Sequence, residues 1–175
     1  MAGRDEAVLV TGLYGSGKSS LVAEMAEMLD AAGISFGAID VDWLSWYRLA
    51  GDRTDGPDLR AQNLSNVADR YLASGVQHLL LADAVRNDDG ISQLRALIPC
   101  PLSVVLLETP MAVIERRLSV DPMSGRARDL QNAHKWQQRG IGQVTADLVL
   151  DGEAPLIQSA ERVLTWLGWL PRQDP

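Results

Sequence analysis

Gly12-Leu-Tyr-Gly-Ser-Gly-Lys-Ser19 is the stretch of this 175-residue chain whose residue types and spacing most directly imply chemistry. Its glycines let the backbone turn successive N–H groups inward, forming a nest for an anion. A helix opening near Lys18 adds free N–H groups and the positive end of its dipole. Lys18 is placed to reach the β and γ phosphates of a nucleotide, and Ser19 to offer its hydroxyl to Mg²⁺. Gly12, Gly15, Ser16, Gly17, Lys18, Ser19 and Ser20 are therefore the expected nucleotide contacts.

Two further groups of residues bear on what happens to such a phosphate. Asp40 and Asp42 form an Asp-x-Asp pair, and Asp83 follows the apolar run Leu79-Leu-Leu-Ala82. Phosphoryl transfer needs a divalent cation to neutralise developing charge and a carboxylate to orient and deprotonate the nucleophile. Asp40 and Asp42 suit those tasks, as metal-side acid and hydroxyl-facing base in either order, although Asp42 also precedes Trp43-Leu44 where a helix cap would sit. Asp83 has the position of an acid serving the metal, with Ser19 and Asp40. The second group is basic: Arg116, Arg117, Arg126 and Arg128 flank a turn-rich segment, Asp121-Pro-Met-Ser-Gly-Arg126. Arginines on a mobile segment can close over phosphates and exclude water. Arg126 is expected to stabilise the transferring charge, and Arg117 and Arg128 to hold the nucleotide, from a lid at about 119–129.

These residues need a scaffold, and the apolar pattern supplies one. Ala7–Thr11 reads as a buried strand that delivers the glycine-rich turn, and Lys18–Ala32 as a helix with Leu21, Val22, Met25 and Leu29 on one face. Strands follow at 34–39, 76–82, 102–107 and 148–150, and helices at 43–50, 58–73, from Thr109-Pro110, at 129–139 and at 155–169. The last helix is expected to turn Ile157, Ala160, Leu164 and Leu167 inward. Continuous apolar strands alternating with helices imply a doubly wound parallel sheet with helices on both faces, in one domain spanning 1–175. Ligands of such sheets bind beyond the carboxyl ends of the strands, where Asp40, Asp42 and Asp83 fall. Trp43, Trp46 and Tyr47, at helical spacing, read as packing residues, and His78 and His134 have no partners at metal-ligand or triad spacing.

Composition narrows the partners. The formal net charge is −7, with 46% hydrophobic and 22% charged residues. An acidic domain repels a phosphodiester backbone, which counts against generic nucleic-acid binding and anionic membranes. No apolar run approaches the roughly 18 residues that span a bilayer, and no signal peptide opens the chain, so the expected compartment is the cytoplasm. The single cysteine, Cys100 between Pro99 and Pro101, excludes an intrachain disulfide and reads as a small half-buried residue. Trp166 and Trp169 leave monomer and homodimer both open.

Taken together, the Gly12–Ser19 cradle, Asp40-Val-Asp42, Asp83-Ala-Val-Arg86, Arg116-Arg117, Ser124-Gly-Arg126-Ala-Arg128 and Ala146–Asp151 resemble the nucleoside-monophosphate-kinase-like P-loop group. Its small-molecule members include shikimate, gluconate and adenylylsulfate kinases and chloramphenicol phosphotransferase. The resemblance runs over nearly the whole chain. It implies a three-layer P-loop NTPase fold with strand order 2-3-1-4-5, an arginine-bearing lid, ATP and Mg²⁺ as cofactors, and an adenine lying near 151–154. The string after Asp83 lacks the glycine and arginine features of a shikimate site and the Asp-Gly-Phe-Pro-Arg of an adenylate kinase, so the acceptor stays open.

The function expected is therefore transfer of the γ-phosphoryl group of ATP to a hydroxyl on a metabolite or antibiotic. Its alternatives are a non-catalytic or regulatory ATP-binding protein and a polynucleotide-end kinase. A GTPase would carry Asn-Lys-x-Asp, which does not occur, and a motor ATPase would place a second acid after Asp83, where Ala84 stands.

Overall fold

The computed structural model describes residues 5–45, 58–120 and 126–170, with the backbone alone at Arg126. Five strands, β1 (Glu6–Thr11), β2 (Phe36–Asp40), β3 (His78–Ala82), β4 (Leu102–Glu108) and β5 (Leu148–Asp151), form one parallel sheet in the order β2-β3-β1-β4-β5. Among the described residues six α-helices surround it: α1 (Lys18–Ala31), α2 (Leu59–Ala73), α3 (Asp88–Leu97), α4 (Met111–Val120), α5 (Arg126–Gln138) and α6 (Leu156–Leu167). This is the three-layer architecture and strand order implied by the sequence resemblance.

Strand alternation explains the layers, since successive side chains point to opposite faces. Val8, Val10, Leu80, Ala82, Val105 and Leu107 pack on one face with Leu21 and Met25 of α1 and Val163 and Leu164 of α6. Ala7, Leu9, Leu79, Leu81 and Val104 pack on the other with Leu64 and Ala68 of α2 and Ile91 and Leu94 of α3. Because both faces are covered, the middles of the central strands are apolar on both sides, and their carboxyl ends are the open edge. A third cluster joins Ile114 and Leu118 of α4 to Ala133 of α5, with Leu13 and Tyr14 of the glycine-rich turn packed against it. That cluster seats the turn under the α4–α5 pair.

The structure revises several element assignments. The sequence pattern did not mark α3, where Asp88-Asp-Gly90 is a poor helix start by propensity. Asn87 caps it by accepting a hydrogen bond from the Gly90 N–H at 3.1 Å, and Ile91 and Leu94 anchor it in the core. The helix expected from Trp43 is a 3₁₀ turn over Val41–Ser45, and Trp43, expected among the packing residues, is 60% exposed. Trp46, Tyr47 and the rest of that expected helix lie outside the described residues, as does 121–125 of the expected lid. α5 begins at Arg126, ahead of the expected Asp129, so Arg126 and Arg128 stand on its first turn. Ile157 is 56% exposed, because the buried face of α6 is built from Ser159, Ala160, Val163 and Leu164 and its first turn stays in water. Trp169 is buried, donating from Nε1 to Glu6 at 2.8 Å and stacking on His78, whereas Trp166 is largely exposed. Cys100 is half-buried, and burial pushes its thiol up to about 11. Among the described residues no helix is long and apolar enough to cross a membrane.

Candidate active site

The site begins where β1 ends. Gly12 follows Thr11 with φ +151°, and a Cβ there would stand 2.6 Å from the Leu107 carbonyl oxygen. Gly15, with φ +76°, lies so close to α4 that a Cβ would meet Leu118 Cδ1 at 2.8 Å. Neither place has room for a side chain, so the concavity of the turn depends on glycine at both. Gly17 takes the N-cap position of α1 with no side chain satisfying the helix's first N–H groups. Those donors therefore remain available to an anion, as helix N-termini allow.

Lys18 crosses this turn. Its Nζ donates to the Leu13 carbonyl at 2.9 Å and lies 5.7 Å from the centre of the Tyr14 ring. The side chain is buried, and loss of water pulls its pKa below the usual lysine range, while Asp42, Asp83 and Asp40 oppose that shift. Burial, with the nearby acids Asp42 and Asp83, raises the Tyr14 phenol.

The acids predicted from the strand ends converge on the same place. Ser19 Oγ donates to Asp40 Oδ2 at 2.6 Å, and the Asp42 N–H donates to Asp40 Oδ1 at 3.1 Å. Asp40 thus faces α1 and is oriented by the backbone that carries Asp42. Asp42 itself lines a cavity of about 950 Å³ beyond the ends of β2 and β3. Partial loss of water around its carboxyl, reinforced by the charge of Asp83, raises its pKa above the ordinary aspartate range. Asp83 is 2% exposed and ion-paired with Arg60 of α2. Burial raises the Asp83 pKa, Arg60 works against that shift, and Asp83 Oδ1 is left without a hydrogen-bond partner.

The arginines separate into two kinds. Arg117 donates from Nη1 to the Ser16 carbonyl and from Nη2 to the Gly152 carbonyl, each at 2.8 Å. Thr109 Oγ1 donates to the same Ser16 carbonyl at 3.1 Å. Arg117 therefore ties the glycine-rich turn to the turn after β5, the region where the resemblance places an adenine. Arg116 and Arg128 are exposed, and the Arg126 side chain lies outside the described residues. Ser20 stands on the exposed first turn of α1, and Ser16 Oγ is buried without a partner.

Several contributors were not singled out from sequence. Arg60 sits on the first turn of α2, where a lone cation reads as solvated, and its partner is 23 positions away. Trp136 and Lys135 of α5 line the larger cavity with Tyr14, whose ring meets Trp136 edge-on at 5.1 Å. Arg86, which the sequence did mark in the Asp83-Ala-Val-Arg86 string, also lines it, its guanidinium 5.8 Å from the Trp136 ring centre. A second cavity of about 560 Å³ touches Gly12, Leu13, Ile141, Gly142, Val149 and Asp151, and none of Asp40, Asp42 and Asp83 lines it.

Ser19 and Asp40 are hard oxygen donors at the mouth of the cradle. Among the described residues no group of three or more His, Cys, Asp or Glu forms a protein-only metal cage. That donor set fits Mg²⁺, which takes one or two protein ligands and fills its shell with phosphate and water.

Comparison with known proteins bears on the fold that carries this site. No protein-family model and no curated protein matches the sequence. Among solved structures, a sugar kinase from Janibacter sp. HTCC2649 is 23% identical with a TM-score of 0.64, covering 94% of this chain and 95% of its own. APS kinase from Mycobacterium tuberculosis, in complex with AMPPNP and APS, is 25% identical with a TM-score of 0.65, covering 95% of this chain and 99% of its own. A gluconokinase from Sinorhizobium meliloti 1021 is 22% identical with a TM-score of 0.58, covering 94% of each chain. The chain has the fold of P-loop small-molecule kinases, and the likeness supports a small-molecule phosphotransferase in general.

Proposed function

We propose that this chain is an ATP-dependent kinase that moves the γ-phosphoryl group, with Mg²⁺, to a hydroxyl of a small molecule. The observation that carries the reading is the division of labour between two aspartates two residues apart. Asp40 is turned to Ser19 at the cradle, and Asp42 is turned to the neighbouring 950 Å³ cavity.

In this reading the nest at Gly12–Ser19 and the open N-terminus of α1 hold the β and γ phosphates, and Lys18 supplies the nearest positive charge. Ser19 and Asp40 would hold the cation, which when bound neutralises charge on the transferring group. Asp42 orients the acceptor hydroxyl and takes its proton. The acceptor oxygen forms a bond to the γ phosphorus as the bond from that phosphorus to the β-phosphate oxygen breaks, and ADP leaves. A raised pKa suits Asp42 to this role, because proton transfer is most efficient to a base whose pKa approaches the working pH. Arg117 holds the cradle and the β5–α6 turn in register, and the sequence assigns Arg126 and Arg128 to the phosphates. Asp83, neutralised by Arg60, belongs to the wall of the acceptor cavity.

The test is nucleotide turnover in Lys18→Ala. Turnover and ATP binding are both expected to collapse, with the fold retained because the aliphatic stem is the only packing lost. Turnover at the parent rate would remove the cradle from the reaction.

A further inference from the structure

The cavity beyond Asp42 has an uneven charge balance, and its composition indicates which acceptors it takes. Four acids and three cations line it within the described residues: Asp42, Asp58, Asp83 and Asp89 against Arg60, Arg86 and Lys135. Most of the acids are already committed. Asp83 is paired with Arg60, and Asp58 caps α2 by accepting from the Ala61 N–H at 3.0 Å. Asp89 lies in the first turn of α3, where the helix dipole favours a carboxylate. Asp42 is the base in the reading above.

The cations are not committed in the same way. Among the described residues neither Arg86 nor Lys135 has an acid partner within ion-pair distance, and both line the cavity. Both share the cavity with one aromatic ring: Trp136 lines it, and the Arg86 guanidinium lies 5.8 Å from its ring centre. Arg86 is held in place by its backbone, because its carbonyl accepts from the Gly142 N–H at 2.8 Å. The chain has only two lysines, Lys18 and Lys135, and both stand at this site despite a net charge of −7. An acidic protein whose cavity wall carries two cations with no acid partner among the described residues, one of them against an indole, beside a hydroxyl-facing base, has the parts of an anion subsite.

We infer that the acceptor is an anionic hydroxy compound, a hydroxycarboxylate or a sugar phosphate, whose acid group is held by Arg86 and Lys135 while its hydroxyl faces Asp42. This rests on the kinase reading for the hydroxyl and on the two cations for the anion. The cations make the acceptor site discriminate by charge, because an uncharged polyol of the same size leaves both of them without a partner.

The experiment compares matched acceptors on the full chain: D-gluconate and glucose 6-phosphate against D-glucitol and glucose. ADP release is followed with mass detection of the phosphorylated product, for the parent, Arg86→Gln, Lys135→Gln and the charge-keeping Arg86→Lys. Calorimetric titration of the same compounds in the presence of Mg²⁺ and ADP reads binding without turnover. The expected result is a kcat/KM at least about tenfold higher for one or both anionic members. The two glutamine variants should raise KM for the anion at least about tenfold with little change in kcat, and Arg86→Lys should restore part of it. A preference for gluconate identifies a carboxylate subsite, and a preference for glucose 6-phosphate a phosphate-ester subsite. Equal use of the neutral members, or a KM that ignores both glutamine substitutions, overturns the anion subsite and leaves the kinase reading standing. Anion binding lost in Arg86→Gln and Lys135→Gln, with no product from any acceptor, supports the subsite and counts against the kinase reading. If the anions are neither bound nor turned over, the inference is overturned.

Discussion

Ser19 and Asp40 meet across 2.6 Å, the serine hydroxyl donating to Oδ2, and this one bond joins the first turn of α1 to the carboxyl end of β2. It brings the phosphate-facing end of the molecule and the first of the two strand-end acids into a single oxygen-rich corner. If that corner holds Mg²⁺, Ser19→Ala should weaken binding of Mg-ATP about tenfold or more while leaving metal-free ADP binding near the parent value. Calorimetry with magnesium and then with EDTA separates the two. An equal loss in both conditions would mean that Ser19 contacts phosphate alone.

Asp42 carries a different expectation. Asp42→Asn keeps the shape of the side chain and removes its capacity to take a proton, so transfer should fall at least ~100-fold with ATP affinity nearly unchanged. The acid limb of the parent pH–rate profile follows from the raised pKa. Below that pKa the carboxyl is protonated and cannot act as base, so the rate should rise with pH through a limb above the ordinary aspartate value of about 3.9. Replacing Asp83 by Asn removes a like charge that helps raise Asp42, so the limb should move to lower pH. A limb that stays put in the Asp83 variant would separate the two acids electrostatically.

Arg60 is the partner that lets Asp83 be charged while buried. Arg60→Ala leaves that carboxylate without its cation, at a cost of about 1–3 kcal/mol, less than for a fully buried pair because water reaches Arg60. The pH dependence has a definite sign. Asp83 has a folded-state pKa raised above its unfolded value, so the folded protein binds more protons in that window and stability falls as pH rises through it. Losing Arg60 extends the window upward, so the variant should lose more stability at pH 8 than at pH 5. Denaturant melts at the two values check this, and Arg60→Ala/Asp83→Asn should recover part of the loss.

Arg117 is a brace between two turns, through the Ser16 and Gly152 carbonyls. Arg117→Ala should lower stability by about 1–3 kcal/mol, the scale of lost charge-assisted hydrogen bonds, and weaken nucleotide binding through the loosened cradle. Arg117→Lys cannot reach both carbonyls at once and should recover only a part. A variant with unchanged melting but weakened ATP binding would place Arg117 on the nucleotide rather than on the backbone.

The succession of strands and helices and the location of the cradle were legible because they rest on short-range patterns, whereas the spatial order of the strands came from the family resemblance that the motifs carry. Ala7–Thr11 is apolar at every position but its last, and the glycines after it are the residues a tight nest requires. What was not legible depends on contacts far apart in sequence. α3 starts on Asp88-Asp-Gly90, and its stability comes from Ile91 and Leu94 in the core and from Asp88 accepting Thr145 from 57 positions away. Arg60 acquires its importance only when α2 lays it against Asp83. Arg117 was expected to meet phosphate, and no spacing rule reveals that two carbonyls lie within its reach. Trp136 and Lys135 belong to a helix of low hydropathy that reads as a solvated face, and only the fold turns them toward the acids. The acceptor wall is therefore the part that tertiary structure had to supply.

The central claim is that a phosphoryl group crosses from the cradle at Lys18 to a hydroxyl facing Asp42. Its most direct measurement is the phosphorylated product formed per ADP released, over a panel of hydroxyl-bearing acceptors, in the parent chain and in Asp42→Asn. The account predicts one product per ADP for at least one acceptor, and a product rate at least ~100-fold lower in the variant at unchanged ATP affinity. ADP release that yields no phosphorylated acceptor, or a product rate that Asp42→Asn leaves intact, would contradict it.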